Sequence, residues 1–94
     1  MDLTINTGTI TPTASNHRVD TQGAAATDTL AVITAAPNGT ILFLRTVSSA
    51  RDVTIAHGAG NIFAAVGDVV LSTQSDFVTL ICDGTNWFVT SEIT

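Results

Sequence analysis

The chain has 94 residues, 45% of them hydrophobic and only 12% charged, and its net charge of −5 includes three Arg and no Lys. One domain accounts for that length, and so few cations exclude the phosphate-neutralising surface of a nucleic-acid binder and binding to an anionic membrane. The lone Cys82 excludes an intrachain disulfide; no signal peptide and no apolar run near the ~20 residues of a membrane span is present, so the expectation is a soluble protein of the cytoplasm or assembled there.

In chain order, "LTIN" (Leu3–Asn6) alternates like a short strand and stops at Gly8. "TITPTASN" holds Pro12, which lacks a ladder donor, so it reads as an edge or a loop. Residues 1–16 are therefore a candidate N-terminal arm reaching a neighbour or a shell, with Leu3 and Ile5 as its contact residues. "HRVDT" (His17–Thr21) is a further short strand, halted by Gly23. "AAATDTLAVITAAP" supports two readings. Ala26, Leu30 and Ile33 fall at helical spacing before Pro37, while the β-branched residues and a turn at Thr27-Asp28-Thr29 favour strand and loop.

Beyond Pro37 the signals sharpen. "PNG" is a turn, since Asn and Gly tolerate positive φ. "TILFLRTV" places Ile41 and Phe43 on one face and Leu42 and Leu44 on the other, which predicts a strand covered on both sides. Leu42, Leu44 and Arg45 are accordingly interface candidates. In "DVTIAHG", Val53, Ile55 and His57 share a face, so His57 is expected as a satisfied buried or interface residue. "GNIFAAVG" and "DVVLST" are brief strands, and "DFVTLICDGTNWFVTSE" is a closing hairpin around Asp83–Asn86. Trp87, just past that bend, caps the core or packs on a neighbouring chain. Short strands with polar turns at this spacing define an all-β fold, a small antiparallel sandwich or jelly-roll-like domain spanning residues 1–94. The turns are too irregular for a solenoid.

Catalytic chemistry finds no foothold. Ser15, His17 and Asp20 crowd into six residues of one polar segment, whereas triad members come from separate parts of a fold, and no nucleophile elbow is present. "GAGN" (Gly58–Asn61) lacks the basic residue and following helix of a phosphate loop. Two histidines with Cys82 and Asp83 match no ligand spacing, so no metal or cofactor is expected within one chain. Gathered about a threefold axis, His57 could still bind an ion. Phe63, Phe77, Trp87 and Phe88 are too scattered along the chain for a base-stacking platform, and core packing accounts for most of them. With no Tyr, a carbohydrate-binding module with a concave aromatic face is the weakest class.

The order of Leu44-Arg45, His57-Gly58, Gly60-Asn61-Ile62 and Asp83-Gly84-Thr85-Asn86-Trp87 resembles a β-module of tailed-phage virion proteins, over roughly Asp20 to Glu92. The resemblance implies a trimeric β-structured piece of a fibre, tail tip or capsid decoration that binds protein and does no chemistry. Fibre proteins carry such modules after long shafts, while this sequence runs only from Met1 to Thr94. That favours a homotrimeric capsid decoration (cement) protein bracing the major capsid protein, located in the virion. The alternative is a tail, baseplate or fibre component bound to tail proteins, with a role in host attachment. The Thr-rich, low-charge surface fits either, because uncharged polar groups lose little on leaving water.

Overall fold

The computed structural model describes residues 2–94, so Met1 of the expected arm lies outside the described residues. Eleven strands run along this stretch: β1 (Asp2–Thr4), β2 (Thr9–Ile10), β3 (Asn16–Asp20), β4 (Thr27–Leu30), β5 (Val32–Ile33), β6 (Ile41–Thr46), β7 (Asp52–Ile55), β8 (Ile62–Phe63), β9 (Val69–Leu71), β10 (Phe77–Cys82) and β11 (Trp87–Ile93). The one helical element among them is a 3-10 turn at Gln22–Ala24. The strands form a six-stranded sheet in the order β1-β3-β6-β10-β11-β8, a three-stranded sheet β4-β7-β9 and the pair β2-β5.

The core lies between these sheets. Val19, Leu42, Leu44, Leu80, Cys82 and Trp87 come from the large sheet. They meet Leu30, Val53, Ile55 and Leu71 from the three-stranded sheet and Ile10 and Ile33 from the pair, all in one buried cluster. Two-residue periodicity produces this arrangement directly, because every second side chain of β6, β7, β9 and β10 points inward and, except for Thr46 at the end of β6, is apolar. Trp87 is fully buried and its Nε1 donates to the Thr34 carbonyl at 3.3 Å, so the ring closes this chain's own core.

One open choice is resolved and two expectations change. Of the two readings for the stretch from Ala24 to Pro37, the strand reading holds: it forms β4 and β5, its β-branched residues pair with β7 and β2, and Leu30 and Ile33 reach the core. Residues 2–16 belong to the body and do not reach outward as an arm. β1 pairs with β3, Ile5 and Ile10 are buried, and the Ile5 N–H donates to the Asp20 carbonyl at 2.9 Å. The sandwich also mixes its strand directions. β1-β3, β3-β6, β4-β7, β2-β5 and β8-β11 pair in parallel, beside the antiparallel β6-β10, β10-β11 and β7-β9. Parallel partners are joined by long crossovers, and local alternation carries no information about them.

The closing hairpin forms where its turn chemistry places it. Asp83 Oδ1 accepts the N–H groups of Thr85 at 2.9 Å and Asn86 at 2.7 Å, and Gly84 takes φ +101°. These main-chain donors, Asn86 foremost, hold the Asp83 carboxyl below the usual carboxylate range. A bulge between Thr79 and Leu80 then shifts the register of β11.

Candidate functional site

The outward face of the six-stranded sheet is the feature most suited to binding. On β6, the inward Leu42 and Leu44 alternate with Ile41 and Phe43, which are 38% and 42% exposed. On β10, half-buried Phe77, Thr79 and Ile81 alternate with buried Val78, Leu80 and Cys82. β11 and β8 repeat the pattern: Trp87 and Ile62 face in, Phe88 and Phe63 face out. Strand register lines these residues up, since Ile41 pairs with Ile81, Ile81 with Phe88, and Phe88 with Phe63. An apolar row therefore crosses four strands.

Aromatic contacts extend the row at its β8 end. Phe63 and Phe88 stack with ring centroids 5.7 Å apart, and the His57 ring meets Phe63 edge-on at 6.1 Å. Core packing thus accounts for Trp87 but not for the phenylalanines. The chain has four, Phe43, Phe63, Phe77 and Phe88, and none is fully buried. Far apart in sequence, they are gathered on one face by strand order.

The turn from His57 to Ala64 is built to hold this end of the face. His57 donates its N–H to Asp68 Oδ1 at 2.8 Å, and its Nδ1 accepts the Ala64 N–H at 2.9 Å. Its ring is exposed, not buried, because β7 ends at Ile55 and the strand alternation stops there. Gly60 lies so close to Ala31 that an added Cβ would collide with the Ala31 carbonyl and would meet Val32 Cγ2 at 2.7 Å. Asn61 then imitates a strand neighbour: Oδ1 accepts the Ile33 N–H at 3.0 Å and Nδ2 donates to the Ile33 carbonyl at 2.6 Å. Ile62 follows into the core. The Gly-Asn-Ile triplet is thereby explained as a close approach, a backbone mimic and a core anchor.

The other interface candidates separate by depth. Ile5, Leu42, Leu44 and Trp87 are enclosed by this chain's own core, so the side chains β6 offers to a partner are Ile41 and Phe43. Leu3 is partly buried against the core from β1. Arg45 stands exposed on the outward face and, among the described residues, has no carboxylate partner; Arg18 and Arg51 are paired with Asp2 and Asp20 at 2.7 and 2.9 Å. Ser15, His17 and Asp20 do not assemble. His17 is buried with Nε2 accepting the N–H groups of Thr13 and Ala14, both at 3.0 Å, and Asp20 is committed to Arg51. Among the described residues, no three side chains of metal-binding type cluster. A modest concavity of about 210 Å³ lies beside β11, lined by Ala65, Val66 and residues 89–92.

A six-stranded sheet closed over one apolar core by the three-stranded sheet and the β2-β5 pair defines a small β-sandwich domain. The chain belongs to the phage depolymerase C-terminal β-sandwich domain family, whose model matches residues 6–88. It is thus a β domain of the phage virion type, as its strand-and-turn motifs imply. A comparison with curated proteins gives no match. The matched family is described by depolymerases and not by capsid decoration, which favours the tail or fibre alternative over the cement reading.

Proposed function

We propose that this chain is a bacteriophage structural protein of the tail, as a fibre, spike or baseplate component that takes part in host attachment. The observation that carries the reading is the family match over residues 6–88 to a domain of phage depolymerases, enzymes whose name places them at a polymer substrate. The C-terminal position of that domain in its parent proteins supports a binding role beside a catalytic part, and this chain acts by contact, without chemistry of its own.

Its physical character agrees. Apolar and aromatic side chains stand on a rigid sheet, a surface suited to protein contact. A net charge of −5 with three Arg turns nucleic acid away. Immunogold labelling of intact particles tests the assignment. Label at the tail is the expected result; label distributed over the head overturns it and restores the decoration role.

A further inference from the structure

We propose that the free edge of β11 takes up an added strand: an extended polypeptide segment of another protein that sets a cation against Glu92 and an apolar side chain into the concavity beside Val89.

Register shows which groups that edge offers. The Cys82 N–H donates to the Thr40 carbonyl at 2.9 Å, on the β6 side of β10. Alternation turns Leu80 and Val78 the same way. Their partners on β11, Val89 and Glu92, therefore point their N–H and C=O groups away from β10, as does Trp87 opposite Cys82. The Trp87 N–H accordingly meets the Asn61 carbonyl beside β8 at 2.8 Å. But β8 ends at Phe63, opposite Phe88, and the chain turns off there, the Gly67 N–H donating to the Ala64 carbonyl at 2.9 Å. Among the described residues no strand follows on that side of residues 89–93, and the Glu92 N–H and C=O meet no partner. The concavity of about 210 Å³ opens where β8 departs, with Ala65 and Val66 on one side and residues 89–92 on the other.

Backbone chemistry and charge select the occupant. An extended polypeptide presents donors and acceptors at strand spacing, which is how peptides are recognised by strand addition. Val89 and Glu92 lie on one side of β11, since both pair with inward residues of β10, and the bulge at Thr90 makes them successive positions on that side. An added strand therefore meets Val66 and Val89 with one side chain and Glu92 with the next but one. The Glu92 carboxylate is exposed and, among the described residues, unpaired, in a chain of net charge −5; its complement is Lys or Arg. The same carboxylate turns away a second copy, because β11 laid on β11 brings two Glu92 side chains to one seam. Charges and bulges guard sheet edges against self-pairing in this way.

The probe is the capped pentapeptide Lys-Thr-Val-Thr-Lys, which reads alike in both strand directions, titrated into the isotope-labelled chain and followed by amide resonances. Saturable binding at roughly millimolar concentration or below is expected, with the shifts centred on residues 89–93. Methylating the probe's backbone nitrogens keeps its charge and removes its donors, and should weaken binding at least about tenfold. Glu92→Pro should do the same; an edge strand tolerates Pro where the N–H faces no neighbour. Should that variant fail to fold, the methylated probe still decides. Glu92→Gln should weaken binding about threefold or more through charge alone. No saturation at roughly ten times that concentration, a methylated probe that binds as well as the plain one, or shifts centred on Phe43 and Phe88 each overturn the proposal. So does a chain that pairs with itself through residues 89–93 as its concentration rises. None of these results bears on the labelling of head or tail, so the two readings fail separately.

Discussion

Leu42 and Leu44 on one side of β6, and Ile41 and Phe43 on the other, differ little in chemistry, yet the first pair is 1% and 0% exposed and the second 38% and 42%. The inner face is closed by β4-β7-β9 and β2-β5; among the described residues, nothing is laid over the outer one. Hydrophobic residues on both sides of a strand therefore do not state which side the chain itself covers. Burial within the chain makes the inner set responsible for folding. The outer set stays exposed.

Substitutions on the two faces should separate these roles. The largest effect is expected for Trp87→Ala, which opens a cavity in the core and strands the Thr34 carbonyl; a loss of about 3–5 kcal/mol in urea unfolding follows from large-to-small core changes. Next comes Gly60→Ala, whose methyl group runs into the Ala31 carbonyl and should cost about 1–3 kcal/mol as overpacking. A loss below a few tenths would mean that residues 57–62 are not pressed on β5 as described.

Acid should act on the ordered turns more gently. Asp76 accepts from the Ser72 and Thr73 main-chain N–H groups at 2.8 and 3.1 Å and from both hydroxyls, and these donors, the Ser72 N–H foremost, hold its carboxyl below the usual range. The unfolded chain thus binds this proton at a higher pH than the native one. The stabilisation is present in full above the ordinary carboxylate range of about 4 and is lost as pH falls through the lower, native value. Asp76→Asn should flatten that acid limb in a series of unfolding curves. An unchanged limb would show that the carboxylate contributes nothing there. The smallest effect is reserved for the outer face: Phe43→Ala should cost the isolated chain less than about 1 kcal/mol, because a residue already 42% exposed gives up little buried area. A loss as large as that of Trp87→Ala would erase the distinction between the faces.

Local rules carried most strand positions. Period-two alternation marked β6, β7, β9 and β10, and the Asp83–Asn86 turn was legible because Asp and Gly there have specific hydrogen-bonding and φ requirements. Parallel pairing was not legible, since it joins strands by crossovers that leave no trace in neighbouring residues. The same limit hid the exposed apolar row of the large sheet. Phe63 and Phe88 stand 25 residues apart and become neighbours only because β8 lies beside β11. For His57, alternation was extended two residues past the end of β7, which placed an exposed ring on the inner side. In "ILFLR" cover on both sides is the expectation; the structure covers Leu42 and Leu44 and leaves Ile41 and Phe43 exposed, and which side would be the inner one was not readable because both sides are equally apolar.

The position of β10 has a temporal consequence. It lies between β6 and β11 in the large sheet, so the middle of that sheet is synthesised after the strands of β1, β3 and β6. While the polypeptide is still leaving the ribosome, β6 has no neighbour on one edge and the core has no Trp87. Stable folding must wait for residues 77–93, and a nascent chain stalled before Phe77 should be digested by protease as an unfolded one is.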